Sequence, residues 1–332
     1  MLARAKRVPL RLEARVTGHH QDDAWFSTFT KEPQARVSDI CHLTIKANPV
    51  LLFRTLRGLS SPAPTLEYLS LSMDMDYPGR QATYAFIPDT LFNGTTPRLS
   101  CLELHKCTTS WKSPLLKGIR HLEICLSSEH LRPSLSDWLD ALNEILQLTK
   151  LILHSASPIA PPFPSGVERT AILPFLTYLH ISSSSAGECA LALSHLILPA
   201  LAQLHIEAMS VLQGGDDVLK LLPYVARHSH GLQYSQPLQN VLIHGDEKHI
   251  SIIAGPDVDI NWPIWVTDTT NAHLALTLTC QGWWLSDPLI LKEVIAVLPL
   301  ENLVKLTAQN QTPLDKGFWH YHAPRWPLLK YV

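Results

Sequence analysis

Apolar residues along the chain follow one short recurring pattern. An apolar residue is followed three positions later by a second and two positions after that by a third, in the form L-x-x-L-x-L. Between Leu43 and Leu274 the middle residue of this pattern recurs about every 29 residues, at the long end of the range for leucine-rich repeats. A period of this length predicts an array of similar structural units.

Each copy of the pattern predicts a β-strand. Successive side chains of a strand point to opposite sides, so the second and third apolar residues share one side and the residue between them faces the other. One strand cannot bury its apolar side alone, so we expect the copies to stack as a parallel sheet with a continuous apolar interior. The middle leucines expected to be almost fully buried and in register are Leu69, Leu102, Leu122, Leu151, Leu179 and Leu204.

Segments with helical patterns lie between the copies. Strand, helix and parallel strand in alternation are what a parallel sheet requires. Residues that favour helix starts, such as the Asn48-Pro49 pair, precede apolar stripes at helical spacing. The first predicted helix begins at Asn48-Pro49, and the second begins at the capping box from Ser134 to Asp137. The third covers Glu188 to Leu198, and the fourth covers Asp216 to His228 and is closed by Gly231. The fifth begins at Ser286-Asp287-Pro288.

These patterns together predict an α/β fold, a leucine-rich-repeat solenoid with a curved parallel sheet on the concave face and helices and irregular turns on the convex face. We expect a single solenoid over residues 1–332, with loop insertions at 158–166 and 246–265. A weaker copy centred on Val241 is expected to follow the copy centred on Leu204. The strand pattern begins near Met1 and still runs at Val332, whereas solenoid ends usually carry caps, so we expect truncation at both ends.

The composition narrows the class of protein. Apolar residues make up 46% of the chain and charged residues 17%, which suits a large core and excludes a disordered protein. The net charge of -2 favours neither nucleic acid nor a membrane surface as a partner. The six cysteines are scattered without a C-x-x-C motif, and no run of about 18 apolar residues occurs. We therefore expect an intracellular protein of the cytoplasm or nucleus.

The sequence lacks the motifs of common catalytic and cofactor sites. It contains no G-x-S-x-G, no H-E-x-x-H and no phosphate-binding glycine-rich loop. The densest group of potential metal ligands is the segment from His19 to Asp23, whose spacing matches no built metal site. We interpret this segment as a polar loop. The sequence therefore predicts that the protein is not an enzyme and has no cofactor and no metal.

Several segments resemble the fungal F-box proteins with divergent leucine-rich repeats that are abundant in mushroom-forming fungi. The segments from Leu91 to Leu104, from Trp138 to Pro158 and from Leu176 to Leu193 are similar to the repeats of that family. The similarity covers nearly the whole chain. In this family an N-terminal F-box is expected to dock on the adaptor of a cullin-based ubiquitin ligase, while the repeats hold the substrate.

The resemblance implies that the chain is the substrate-recognition part of an F-box-type ubiquitin ligase receptor, with an unknown protein substrate on the concave face. No helical F-box precedes the first strand region, Val8 to Val16, so we expect the ligase adaptor as a partner only if an F-box is encoded upstream. The alternative is a stand-alone scaffold for protein interactions with no role in ubiquitin transfer. An F-box in frame upstream of Met1 separates the two hypotheses.

The candidate binding surface is the concave face, where we expect positions three, five, seven and eight of each L-x-x-L-x-L-x-x copy. Eight of the 17 histidines fall in these positions. Aromatic and amphipathic side chains of this kind suit protein recognition. The residues predicted to bind the partner are His42, Tyr68, Glu103, His105, His121, Glu123, His154, Tyr178, His180, His205, Glu207, His244 and His273.

Two interpretations of these histidines remain open. Histidine is either a tolerated strand residue in the repeats or the source of a charge change between about pH 5 and 8, because its unperturbed pKa is about 6.5. In the second case, we expect Glu103, which lies beside His105, and Glu123, which lies beside His121, to pair with imidazolium across neighbouring strands.

Overall fold

The structure is a computed structural model of the 332-residue chain, and it describes residues 9–16, 36–74, 85–126, 128–159, 169–200, 202–211, 216–233, 237–245, 249–256, 272–280, 288–310 and 325–329. In these residues the fold is mixed α/β, with a large, mostly parallel sheet of twelve strands and with five α-helices. The α/β class predicted from the sequence is therefore confirmed. The chain divides into two compact units, Met1–Ile152 and Leu153–Val332.

The first unit contributes parallel neighbours to the large sheet. Its strands are β1 (Leu10–Val16), β2 (Ile40–Ala47), β3 (Tyr68–Met73), β4 (Ala85–Ile87), β5 (Cys101–His105), β6 (Cys107–Thr109) and β7 (His121–Cys125), and β8 (Lys150–His154) spans the division between the units. Strands β1, β2, β3, β5 and β7 follow one another in the large sheet, each parallel to the next. Strands β4 and β6 form a separate parallel pair.

Aligned leucines build the apolar interior of this sheet, as the sequence predicts. Leu43, Leu69, Leu102 and Leu122 are direct neighbours across β2, β3, β5 and β7. Each of these four side chains is at most 2% exposed to solvent. All six leucines whose burial was predicted are fully buried, which confirms the alternation of sides within each strand.

The helices of the first unit begin where the sequence predicts. They are α1 (Pro49–Gly58) and α2 (Leu135–Glu144), and short 3-10 helices lie at Val37–Asp39, Leu91–Gly94, Pro114–Leu116 and Glu129–Leu131. Asn48 Oδ1 accepts a hydrogen bond of 2.9 Å from the N–H of Leu51, and Ser134 Oγ accepts one of 3.1 Å from the N–H of Asp137. These side chains satisfy backbone donors that have no partner inside the helix.

The second unit contains the remaining elements. Its strands are β9 (Ala171–Ile172), β10 (Tyr178–Ser183), β11 (Leu196–Ile197), β12 (Gln203–Val211), β13 (Asn240–Gly245), β14 (His249–Gly255), β15 (Leu274–Cys280) and β16 (Lys305–Asn310). Its helices are α3 (Ala186–Ser194), α4 (Asp216–Gln233) and α5 (Pro288–Ala296). Strands β9 and β11 form a separate parallel pair, whereas the others belong to the large sheet.

The strand order of the second unit corrects the predicted one. The order is β10, β12, β15, β14, β13 and β16, so β15 and not β13 lies beside β12. Strand β14 runs antiparallel to both of its neighbours, and it lies inside the segment 246–265 that was predicted as a loop insertion. The physical reason is the connection from β13 to β14, which has only three residues. A parallel crossover needs about a dozen residues or more, so the two strands form a hairpin.

Helix α4 extends further than the sequence predicts. Gly231 was expected to close the helix, but α4 continues to Gln233. The next residue, Leu232, is fully buried, and burial of that side chain favours continuing the last turn. A glycine inside a helix costs only about 1 kcal/mol relative to alanine, so the packing of Leu232 outweighs it.

Helices cover the leucine side of the sheet in both units. Helix α1 contacts β2 in the first unit, and α3 contacts β10 and β12 in the second. These helices bury Leu52 and Leu56 of α1 and Cys189 and Leu193 of α3. The leucine side of the strands is buried with them, which leaves the opposite side of the strands for the candidate site.

Some predicted features lie outside the described residues. They are the segment from His19 to Asp23, residues 160–166 of the first predicted insertion, and residues 246–248 and 257–265 of the second. Among the helices that the structure does describe, none has the length and apolar character needed to cross a membrane.

A buried histidine links α4 to the residue before β12 and predicts acid sensitivity. Nε2 of His228 lies 2.7 Å from the carbonyl oxygen of Ala202, and burial lowers the pKa of His228 below its usual 6.5. Below about pH 6.5 the unfolded chain therefore binds a proton that the folded chain does not bind. We expect full stability above that pH and a progressive loss as the pH falls towards the lowered pKa.

This loss can be assigned to His228 by urea unfolding between pH 7.5 and 5, roughly the range in which histidine titrates. The urea midpoint of His228→Gln should fall less across this range than that of the unchanged protein, even if it starts lower. His230→Gln, an exposed position on the same helix, should keep the original pH dependence. Equal pH dependence in His228→Gln and His230→Gln contradicts the prediction.

Candidate functional site

The side of the strands opposite the leucines carries the candidate site. Of the 13 residues predicted for it, 12 belong to strands and His273 lies directly before β15. Among the 13, His205 and His244 are buried, at 4% and 9% exposure, and the others are partly exposed. We call these 13 residues the polar face, and each unit carries its own part of it.

Position eight of the repeat does not lie on this side, contrary to the sequence prediction. Ala47, Met73, Ser183 and Ala208, all at position eight, are buried. The cause is the strand itself, because positions four, six and eight share one side when side chains alternate. The 13 residues of the polar face all come from positions three, five and seven, so the correction removes none of them.

An aromatic pair forms part of the polar face in the first unit. The rings of His42 and Tyr68 are stacked, with centroids 3.9 Å apart and planes 7° from parallel. The Tyr68 hydroxyl donates a hydrogen bond of 2.5 Å to Oε2 of Glu103, and burial together with this carboxylate raises the pKa of Tyr68. Burial and the charge of Arg11 lower the pKa of His42. The pair is therefore neutral at pH 7 and offers flat aromatic surface instead of charge.

Glu123 lies between two histidines of the first unit. Its Oε1 is 3.7 Å from Nε2 of His105, and its Oε2 is 3.8 Å from Nε2 of His121. The expected proximity across neighbouring strands is therefore found between Glu123 of β7 and His105 of β5. Glu103 instead accepts the hydrogen bond of Tyr68, the aromatic residue of the neighbouring strand β3.

Cys101 shares this surface, although the sequence prediction left it out of the site. Its Sγ lies 3.3 Å from Nδ1 of His121 and 3.9 Å from Oε1 of Glu103. Burial, followed by the nearby Glu103 carboxylate, raises the pKa of Cys101 to about 12, so the group is a neutral thiol. The signal in the sequence was the position of Cys101, because it occupies position three of its repeat, as His121 does in the next.

In the second unit, Tyr178 and His205 form a second aromatic contact. Their rings meet edge to face with centroids 4.8 Å apart, and the Tyr178 hydroxyl lies 3.0 Å from Nδ1 of His205. Burial, and then the neighbouring His180, lowers the pKa of His205 to about 4. Burial also lowers the pKa of His273. The lowered pKa of His205 does not favour a charge switch between about pH 5 and 8 at this position.

Three further residues of the second unit converge beside His205. The rings of His154 and His180 meet edge to face with centroids 4.7 Å apart. Nε2 of His180 lies 3.6 Å from Oε1 of Glu207, and this imidazole is the main cause that lowers the pKa of the Glu207 carboxyl. One potential ligand atom from each of the three residues lies within 4.8 Å of the other two. We call this group the His154–His180–Glu207 cluster.

The other predicted residue of the second unit stands apart from this cluster. His244 belongs to β13, which the sheet order separates from β12 by β15 and β14. Its neighbours in register are Ser251 on β14 and Gln309 on β16. The sequence analysis expected the copy that contains His244 to follow the copy that contains His205, and the observed strand order separates these two residues.

Comparison with protein-family models, with curated proteins and with solved structures finds no match to this chain.

Proposed function

We propose that this chain is a leucine-rich-repeat solenoid that binds a protein partner through its polar face, which is the concave face of the solenoid. In this proposal it is the substrate-recognition part of an F-box-type ubiquitin ligase receptor and acts in the cytoplasm or nucleus. The observation that carries the proposal is the aligned series of buried leucines in parallel strands. Repeats held together through one side of a sheet leave the other side free to vary for recognition.

The chemistry of the polar face supports a protein as the partner. Stacked His42 and Tyr68 present a flat amphipathic surface, and Glu123 with its two neighbouring imidazoles presents a polar one. Protein interfaces combine aromatic anchors with a polar surround in this way. The net charge of -2 gives no electrostatic reason to prefer nucleic acid as the partner.

The proposal is tested by partner identification with the full chain in cells, using proximity labelling and cross-linking. The double variant His42→Ala/Tyr68→Ala removes the aromatic pair, and Glu123→Lys reverses the charge between the two histidines. Loss of an anchor residue typically costs more than 1 kcal/mol of binding energy, so we expect the affinity for the main partner to fall by about tenfold or more.

A matched control lies on the helix side of the same unit. Phe53 of α1 is 39% exposed, so Phe53→Ala removes an aromatic side chain away from the polar face. This variant should retain the partner, and thermal unfolding should verify that all variants are folded. If both polar-face variants retain the partner at the original affinity, the polar face is not the binding surface.

A role in ubiquitin transfer is tested on the same partner. The fraction of the partner that carries ubiquitin should change when the chain is expressed, and it should not change with His42→Ala/Tyr68→Ala. A partner that binds through the polar face without any change in ubiquitination or half-life identifies the chain as a scaffold instead. This outcome leaves the protein-binding part of the proposal intact and removes the ligase part.

A further inference from the structure

The His154–His180–Glu207 cluster brings three ligand-bearing side chains together from neighbouring strands. His154 ends β8, His180 lies in β10 and Glu207 lies in β12. His180 is paired in register with His205 of β12. Glu207 lies two positions after His205 on that strand, so the ring of His180 lies diagonally beside the Glu207 side chain. Adjacent strands are about 4.8 Å apart, a separation that imidazole and carboxylate side chains on one side of a sheet can bridge.

The position of His154 is fixed by the backbone that follows it. Ser155 has a positive φ of 51°, which turns the chain at the end of β8. The N–H of Ser155 donates a hydrogen bond of 2.7 Å to the carbonyl oxygen of Ser182, the residue paired with Glu207. This bond holds the end of β8 beside Ser182, the residue of β10 that is paired with Glu207.

Nε2 of His180 is the least satisfied atom of the cluster. It is buried, and among the residues that the structure describes it has no hydrogen-bond partner. Its distance of 3.6 Å to Oε1 of Glu207 is too long for a hydrogen bond. A buried nitrogen without a hydrogen-bond partner destabilises the folded state, so a group that joins this atom to the carboxylate would stabilise it.

A divalent ion is the group that fits this separation. Zn²⁺ binds histidine nitrogen at about 2.0–2.1 Å and carboxylate oxygen at about 2.0–2.2 Å, so two ligands of a tetrahedral ion are about 3.4 Å apart. The nitrogen–oxygen distance in the cluster is 3.6 Å. The three ligand atoms lie within 4.8 Å of one another, so each must move by less than about 1 Å to reach Zn²⁺ distances.

A second group in the first unit has the right residue types, but two of its three residues are already engaged, and only Nε2 of His121 is buried there without a hydrogen-bond partner among the described residues. Cys101, Glu103 and His121 also lie within reach of one ion. The Glu103 carboxylate accepts the Tyr68 hydroxyl, and the Cys101 thiol lies at hydrogen-bond distance from Nδ1 of His121. Metal binding there requires these contacts to break, so this group serves as an internal comparison.

We propose that His154, His180 and Glu207 form a three-ligand Zn²⁺ site on the polar face of the second unit. Two imidazoles and one carboxylate are a ligand set that zinc accepts with a further position left open. All three residues are partly exposed, so we expect the open position to be available to water or to a side chain of a bound partner. Mg²⁺ and Ca²⁺ prefer sites built from oxygen ligands, so neither should compete.

Metal binding is measured on the purified full chain, without any protein partner, so the result is independent of the proposed binding function. The chain is stripped with a chelator and titrated with Zn²⁺ in competition with a chromogenic chelator. We expect one equivalent of Zn²⁺ per chain. His154→Ala, His180→Ala and Glu207→Gln should each weaken binding by about a hundredfold or more, because changes to outer-shell partners alone cost 10–100-fold.

The controls separate this site from the comparison group and from misfolding. Cys101→Ser and His121→Ala should bind Zn²⁺ as the unchanged chain does. Glu207→Gln keeps the size of the side chain, so its loss of Zn²⁺ cannot be attributed to a packing defect. Excess Zn²⁺ should raise the melting temperature of the unchanged chain and not that of Glu207→Gln, because a ligand that binds the folded state stabilises it.

Three results overturn the proposal. The first is that the unchanged chain binds no stoichiometric Zn²⁺. The second is that Glu207→Gln and His154→Ala bind Zn²⁺ as tightly as the unchanged chain. The third is that Cys101→Ser or His121→Ala loses Zn²⁺ binding while the variants of the cluster retain it. Cobalt provides an independent reading, because Co²⁺ bound at the cluster should produce visible absorption bands that Glu207→Gln lacks.

Discussion

Leu102→Ala is expected to lower the free energy of unfolding by about 2–5 kcal/mol, the range for removing a buried leucine side chain. Leu102 is fully buried and lies between Leu69 and Leu122 in register. The parallel strands on both sides fix the backbone, so neighbouring side chains have little freedom to move into the space. A cavity that cannot collapse puts the cost towards the upper part of the range.

A matched substitution tests whether burial is the cause. Leu146, two residues after the end of α2, is 60% exposed, so Leu146→Ala removes the same atoms without opening a cavity. Its effect should stay within about 0.5 kcal/mol, as for most surface substitutions. Urea unfolding of both variants, followed by circular dichroism, measures the difference. Similar midpoints for Leu102→Ala and Leu146→Ala contradict the assigned role of the leucine series.

The sequence could predict this leucine series because the rule behind it is local. A strand repeats every two residues, so the spacing of the middle and third leucines within each copy specifies which side is buried. The same rule explains the error at position eight. Ala47 and Met73 lie an even number of positions after the middle leucine of their copy, so they share its buried side. Applying the alternation strictly to the eighth position would have assigned these residues to the interior.

The strand order of the second unit could not be read from the repeat pattern. Strand β15 lies beside β12, although β13 and β14 come between them in the chain. Pairing between distant segments has no signature in local periodicity, since each strand presents the same alternation to any neighbour. The short connection between β13 and β14 was the available signal, because three residues suffice for a hairpin and not for a crossover.

The residues of the polar face were predictable, but their contacts were not. Positions three, five and seven identify which side chains share the surface, and the histidines lie there. Which of them meet depends on register and also on side-chain conformation and burial, and the leucine pattern predicts only the register of copies whose strands are neighbours. The meeting of His180 with Glu207, and the lowered pKa of His205, follow from that register and from burial.

The contacts of the polar face also differ between the two units in a way that matters for recognition. In the first unit Tyr68 satisfies Glu103, and Cys101 meets His121, so the potential ligands engage one another. In the second unit His180 and Glu207 stay 3.6 Å apart. Glu123 lies at similar distances of 3.7 and 3.8 Å from His105 and His121 in the first unit, but the described groups that bring three ligand atoms within 4.8 Å of one another do not include it. The cluster of the second unit does so with two imidazoles and a carboxylate, a ligand set that suits an ion.

Trp138→Ala is expected to destabilise the protein by about 3–5 kcal/mol, and Trp138→Phe by much less. Trp138 lies in α2 and is the largest side chain among the fully buried ones that the structure describes. Alanine leaves most of its volume as a cavity. Phenylalanine fills much of that volume and also removes the indole N–H, which is buried and has no hydrogen-bond partner among the described residues.

The two substitutions together separate packing from hydrogen bonding at this position. If the indole N–H is unsatisfied, its removal recovers a cost of about 1–3 kcal/mol and offsets part of the volume lost in Trp138→Phe. Phe175→Ala, at a position that is 62% exposed, is the control for loss of an aromatic side chain without a cavity, and its effect should stay small. Urea midpoints of the three variants decide the question. A Trp138→Phe variant as unstable as Trp138→Ala would mean that the indole N–H has a partner that phenylalanine cannot replace.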